Sequence, residues 1–285
     1  MKMGILVDSS SGLSEEKVVN TNISVIPLHI ILDGGEEYLD IPQNNDKYKT
    51  FEFIHNGNKV STSQASPGEI ENKFNEMLKK YDHVVVLTIS ENLSSMQATT
   101  LMVANNDEFK SKISIIKHCL AADAIGELAL KFNEMTDNTN LTVETYQKIA
   151  DEWMQKAASI IIPGDLSRLA KGGRAKALLI SILKMFKTKV AILWGWKPSK
   201  IAMGRTYASL LDKIKSTIEK ICGKDPKFIF SSTNLTSSKT IELIAEKLKE
   251  FGIKFEKRII PSPFVCHAGT ESIAFIAINK KLLEK

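Results

Sequence analysis

His83-Val84-Val85-Val86-Leu87-Thr88-Ile89 decides the fold class of this 285-residue chain. The run is apolar, β-branched and too short for a buried helix, so it predicts a strand covered on both faces. Outward from it, Ser94–Asn105 carries a helical pattern, Ile113–Ile116 a second strand and Ala121–Met135 a longer helix. Upstream, Gly4–Val7 is another short buried strand, followed by the turn Asp8-Ser9-Ser10-Ser11-Gly12 and a helix start at Ser14. Strands alternating with helices imply a parallel sheet. Ligands of such sheets collect beyond the carboxyl ends of the strands. The loops Asp8–Gly12, Ser61–Ser66 and Ser90–Ser95 can therefore converge at one edge.

Between these elements, Ser24–Leu32 is a single apolar, β-branched segment, Asp33-Gly34-Gly35 a hairpin turn, and Glu36–Ile41 its returning strand. Tyr48, Phe51, Phe53 and Ile54 have mixed helical spacing. The second half predicts a helix over Thr142–Ala157, a strand over Ser159–Ile162 and a helical turn over Asp165–Ala170. An apolar helix over Ala175–Phe186 and a strand over Lys189–Trp194 follow, then a helix from Arg205 to Cys222. The chain closes with strand Phe228–Ser232, helix Thr236–Phe251, strand Ile253–Ile260, a loop holding His267, and strand Ser272–Ile278. The expected architecture is an α/β domain over residues 1–158, built on a parallel sheet, and an α+β domain over residues 159–285.

Hydrophobic residues make up 43% and charged residues 25%, the composition of a globular protein, and no apolar run is long enough to span a bilayer. Cys119, Cys222 and Cys266 are widely spaced and form no CxxC pair, which speaks for a reducing, cytoplasmic setting and against a zinc cage or disulfide framework. Charge is divided unevenly. Residues 1–170 hold 15 Lys and Arg against 24 Asp and Glu, whereas residues 171–285 hold 23 against 9. A basic C-terminal part suits an acidic partner, whether a protein, a phosphate-bearing ligand, nucleic acid or a membrane surface. Regularly spaced aromatic platforms for single-stranded nucleic acid are absent.

Ser61-Thr62-Ser63-Gln64-Ala65-Ser66-Pro67 gathers four hydroxyls and an amide. With Val60 ending an extended segment and Pro67 at a first helical position, the stretch sits at the positive end of a helix running to about Lys80. Free N–H groups there favour an anionic oxygen group, and ordinary capping is the competing role. Ser63, Ser94 and His267 also suggest a lipid or ester hydrolase, although neither serine lies in a G-x-S-x-G elbow. Gly269 beside His267 would let backbone approach a ligand closely. Lys171-Gly172-Gly173-Arg174 is no Walker phosphate loop, yet Arg174 is placed for a bidentate contact with phosphate or carboxylate. Asp8 is better suited to capping than to metal binding, and Trp194-Gly195-Trp196 to packing or to lining an apolar cavity.

Taken in order, five motifs resemble those of the DegV family, the fatty-acid-binding proteins that serve bacterial fatty acid kinase. Val7-Asp8-Ser9-Ser10-Ser11-Gly12-Leu13 is similar to the family's D-S-x-x-x-L, and Ser61–Glu69 to T-S-Q-P-S-P. Ile89–Gln97 resembles I-S-S-x-L-S-G-T-Y-Q with one residue fewer. Leu169–Arg174 resembles L-x-K-G-G-R, and His267-Ala268-Gly269 the H-x-G of H-T-G-P-G. The chain departs from the pattern at Ala65, at Lys117-His118-Cys119 and at Thr270-Glu271. The resemblance implies a long-chain fatty acid in an apolar tunnel between or within the domains. Thr62, Ser94 and His267, with Ser63 beside them, would hold its carboxylate. It implies a separate kinase docking at Arg174 and Arg205, with no catalytic residue, metal or cofactor supplied by this chain. Nucleic acid and stable membrane insertion are not expected, and transient contact with a membrane surface stays open.

Overall fold

The computed structural model describes residues 2–136, 142–172 and 188–284. The first part runs β1 (Met3–Asp8), β2 (Ile23–Ile26), β3 (His29–Leu32), β4 (Glu37–Leu39), α1 (Pro42–Lys47), α2 (Thr50–His55), β5 (Val60–Ser63), α3 (Pro67–Leu78), β6 (His83–Leu87), α4 (Met96–Ala104), β7 (Ile113–Ile115) and α5 (Asp123–Glu134). After it come α6 (Val143–Lys156), β8 (Ala157–Ile162), α7 (Leu166–Lys171), β9 (Lys189–Trp194), β10 (Ser199–Gly204), α8 (Ala208–Cys222), β11 (Pro226–Ser232), α9 (Ser238–Glu250), β12 (Glu256–Ile259), α10 (Ser262–Ala268) and β13 (Ile273–Asn279).

The expected α/β class holds. Strands β2-β1-β6-β7 form a wholly parallel sheet in that order, and every residue of β1 and β6 is buried. A second, mixed sheet of six strands has the order β10-β9-β8-β13-β11-β12, in which only β11 and β12 run parallel. Strands β4-β3-β5 make a small antiparallel sheet inserted in sequence between β2 and β6 of the first sheet.

Five local expectations are corrected. Ser24–Leu32 is two strands in two sheets, because Pro27 lacks the N–H that would continue the ladder. Val60 begins an extended segment rather than ending one, so the hydroxyl motif starts inside β5. His267 stands on helix α10, which Pro263 opens near its N-terminus, and not in a loop. Helix α8 starts at Ala208, three residues after Arg205, because Thr206 turns the chain and its Oγ1 accepts the Ser209 N–H at 3.3 Å. The residues before it form β10, an edge strand hidden in sequence by its mixed composition. The expected helix over Ala175–Phe186 lies outside the described residues, as does Arg174.

Helix α5 joins the two large sheets. Asp123 through Ala129 are buried without a break, so the helix has no solvent stripe along that stretch. Its apolar side chains share one core with Ile5 and Val7 of β1 and with Ile276 and Ile278 of β13. Gly126 permits close approach to the first sheet, since a Cβ there would lie 2.5 Å from the Ser11 carbonyl oxygen. On the other side, Arg258 of β12 reaches Asp123 Oδ1 at 3.2 Å and Glu127 Oε1 at 2.6 Å, and Lys227 of β11 reaches Glu127 Oε2 at 2.9 Å. Buried carboxylates are tolerated here because each is paired; removing one partner would leave a charge uncompensated.

Candidate functional site

Three of the predicted loops do converge. Asp8, at the end of β1, accepts the Ser10 N–H at 2.9 Å through Oδ1 and the Ile89 N–H at 2.6 Å through Oδ2. It therefore caps the first turn and pins the start of the Ser90–Ser95 loop. Burial pushes its carboxyl up to about 6, against the lowering effect of those hydrogen bonds. Asn92 of the same loop donates to the Gly195 carbonyl at 2.6 Å, fixing it to the Trp194-Gly195-Trp196 turn. Ser94 follows, its Oγ accepting the Met96 N–H at 3.2 Å.

Strand β5 supplies the second wall. Thr62 stands opposite Ile30 and Ser63 opposite His29, so alternation turns their side chains to opposite faces. Thr62 Oγ1 lies 2.7 Å from His267 Nε2, joining β5 to α10. Ser63 donates instead to Glu37 Oε1 at 3.3 Å, on a face where His29 stands 3.0 Å from both Glu37 and Glu69. An anionic head group would meet two carboxylates there, so Ser63 is the weakest member of the expected set.

The helix end expected to attract an anion is already occupied. Ser66 Oγ accepts the Glu69 N–H at 3.3 Å, and Glu69 Oε2 accepts the Ser66 N–H at 2.7 Å, a complete capping box. With the Glu69 carboxylate in the first turn, ordinary capping is what this helix terminus does. Gly269 likewise serves the protein itself: at φ +86° it brings the chain against Asp165, whose N–H donates to the Ala268 carbonyl at 2.8 Å.

Thr62, Ser63, Ser94 and His267 all line one small cavity of about 60 Å³. Apart from Gln64, the rest of its wall is apolar, with Leu28 from the β2–β3 connection and Ile161, Leu169, Trp194 and Phe264 from β8, α7, β9 and α10. Phe264 also touches three of the hydrophobic cores. Leu28, Ile161 and Phe264 carry no motif and are missed by sequence reasoning, whereas Leu169 opens the stretch similar to L-x-K-G-G-R and Trp194 is a candidate for lining an apolar cavity. The same Thr62 and His267 also border an open groove of about 820 Å³ on their other side, lined by Lys59, Arg168 and Lys171 among others. Arg168 is held there by donating to the Asn58 carbonyl at 2.9 Å. Thr62 and His267 thus stand between a small, mainly apolar cavity and a larger polar groove in which Lys59, Arg168 and Lys171 are joined by Asp165 and Glu271. Arg205 is exposed in the turn before α8.

The three cysteines are free and buried. Among the described residues, no group of three or more His, Cys, Asp or Glu side chains is arranged to hold a metal ion, and no helix is long and apolar enough to cross a membrane.

A sequence profile described as "Uncharacterised protein, DegV family" matches residues 2–280. A DegV domain-containing protein of Mycoplasmopsis pulmonis is 28% identical over 289 residues, covering 100% of this chain and 98% of its own. Among solved structures, a DegV family protein of Thermus thermophilus described by its fatty-acid binding superposes with a TM-score of 0.83 at 18% identity, covering 98% of this chain and 100% of its own. A stearic-acid-binding protein of Eubacterium ventriosum gives 0.84 at 18% identity, covering 98% of each chain. A DegV family protein of Eubacterium eligens loaded with heptadecanoic acid gives 0.79 at 16% identity, covering 97% of this chain and 99% of its own.

Proposed function

The chain belongs to the DegV family, and on that premise we propose that it binds a long-chain fatty acid, with the hydrocarbon among Leu28, Ile161, Leu169, Trp194 and Phe264 and the carboxylate at Thr62, Ser94 and His267. The observation that carries this is the shared wall: Thr62 and His267 border both the small, mainly apolar cavity and the larger polar groove. An amphiphile with one polar end fits such a boundary. Burying each methylene contributes about 0.8 kcal/mol, so fourteen of them contribute about 11 kcal/mol gross. Part of that is offset by ordering the chain and by moving the wall apart, because 60 Å³ is well below the roughly 300–1,000 Å³ of drug-sized ligand pockets.

The carboxylate so placed is within reach of a reagent entering the groove. We infer that a separate kinase uses that opening to phosphorylate it, feeding the acyl group toward phospholipid synthesis. The chain itself acts as a binding and presenting subunit, in a cytoplasm that keeps its three thiols reduced. Lys59, Arg168 and Lys171 suit the approach of a phosphate, and Arg205 suits contact with an acidic kinase face. Mass spectrometry of organic extracts from natively purified protein tests the binding. Roughly stoichiometric free fatty acid is the expected result; repeated extracts with none, together with no uptake of added fatty acid, refute it.

A further inference from the structure

Gln64 follows Thr62 by two residues and lines the same cavity. Its Nε2 donates to Thr99 Oγ1 at 2.6 Å, whereas its Oε1 is buried with no hydrogen-bond partner among the described residues. A buried amide oxygen left unpaired costs free energy, and an orphan of this kind calls for an explanation. Three other atoms share that condition, on Thr88, Tyr146 and Trp153, but none of those residues lines the cavity.

A half-turn of the amide pairs Oε1 and exchanges the unpaired acceptor for two N–H donors, which a bound acceptor would satisfy. Thr99, a hydroxyl that both donates and accepts, then gives its proton to Oε1, and the two N–H bonds of Nε2 take the place of the unpaired oxygen. An ionised carboxylate is acceptor-only, so every polar contact with it has to come from a donor. From these observations we propose that Gln64, oriented by Thr99, is a further head-group residue whose Nε2 donates to the bound carboxylate and selects an ionised acid over a neutral lipid of equal chain length. This rests on the fatty-acid binding proposed above and adds the charge state of the ligand that the site takes.

The test uses equilibrium dialysis of radiolabelled tetradecanoate and tetradecan-1-ol at pH 7.5 against the full chain. Gln64→Leu is expected to weaken tetradecanoate binding about tenfold, the loss of one hydrogen bond to a charged group, and to leave the alcohol within about twofold. Gln64→Glu places a carboxylate against the ligand; its tetradecanoate binding should be weaker still and should recover as pH falls toward the carboxylate range, a pH profile that a packing role would not produce. Thr99→Val should weaken the acid several-fold and spare the alcohol. Should the variants fold poorly, the Gln64 side-chain amide resonances of wild type serve instead, shifting with tetradecanoate and not with the alcohol. Unchanged tetradecanoate binding in Gln64→Leu, equal losses for acid and alcohol, or amide resonances indifferent to the acid would overturn the inference while leaving fatty-acid binding intact. Wild type that takes up neither ligand would overturn both.

Discussion

Asp8 and Ile89, 81 positions apart, are joined by a fully buried hydrogen bond of 2.6 Å in which the aspartate accepts the backbone N–H. That bond crosses from the end of β1 to the end of β6 and sets where the Ser94 loop begins. It is made by a carboxyl that burial has raised to about 6 from an ordinary 3.8.

A pH dependence follows from that shift. The folded state binds the Asp8 proton more tightly than the unfolded chain does, so this group's contribution to stability falls as pH rises from about 4 to about 6 and is constant above. Two pKa units correspond to about 3 kcal/mol. Urea unfolding of wild type and Asp8→Asn between pH 4 and 8 isolates the effect. The stability of wild type relative to the variant should drop by about that amount across the window. A difference independent of pH would show that Asp8 does not titrate there.

The head-group residues separate retention from reactivity. Each hydrogen bond to a charged group is worth roughly 1.5–3 kcal/mol, small beside the gross gain from burying the acyl chain. Thr62→Val, Ser94→Ala and His267→Ala should therefore still copurify with lipid. Phosphorylation by a supplied kinase should fall much further, because in-line transfer depends on where the attacking oxygen is held. Three variants that match wild type in both assays would dissolve the site assignment.

Ser66 offers a control on the same motif. With its hydroxyl engaged in the α3 capping box, Ser66→Ala should cost about 1 kcal/mol of stability and leave fatty-acid affinity within about twofold. Calorimetry and dialysis on one preparation decide this. A large loss of affinity would return the helix terminus to the ligand site.

Charge changes in the basic C-terminal part should act on the partner. Arg205→Ala, Arg174→Ala and Lys171→Glu are expected to lower kinase-dependent phosphorylation at subsaturating protein, more strongly at low salt, with lipid content unchanged. A salt-independent rate equal to wild type in all three would mark the basic surface as merely solvated.

The serine hydrolase alternative makes an opposite prediction, that a fluorophosphonate labels Ser94 or Ser63. The geometry instead sets His267 Nε2 2.7 Å from Thr62 and turns Ser63 to Glu37. No labelling is expected, and a serine adduct found by peptide mapping would reinstate the hydrolase.

Much of the fold was legible because local pattern and tertiary role agree in it. Val84–Leu87 is apolar throughout because both faces of its sheet are covered, and Asp33-Gly34-Gly35 has the residues its hairpin requires. Pro27 was a visible sign that Ser24–Leu32 is broken, outweighed by the β-branched run around it. Thr62 and His267 were found through their motifs. Their pairing was not readable from spacing, since 205 residues separate them. The contact of Ser63 with Glu37 follows from strand alternation once Val60–Ser63 is known to be extended, which a strand boundary placed at Val60 hid. Most of the apolar wall left no local trace: Leu28, Ile161 and Phe264 are ordinary core residues until the β2–β3 connection, β8 and α10 bring them together.

Helix α5 constrains how the molecule can deform. Locked on one side by Gly126 against Ser11 and on the other by Arg258 and Lys227, it works as a common spine to which both large sheets are riveted. A hinge at that position would have to break apolar packing and paired buried charges together. Compliance is left to the rim, where β5, α7 and α10 meet across a few contacts such as Thr62 with His267 and Asp165 with Ala268. Whatever widens the small cavity therefore loosens the elements that hold the head-group residues, so filling the interior and setting the reactive end become one mechanical event.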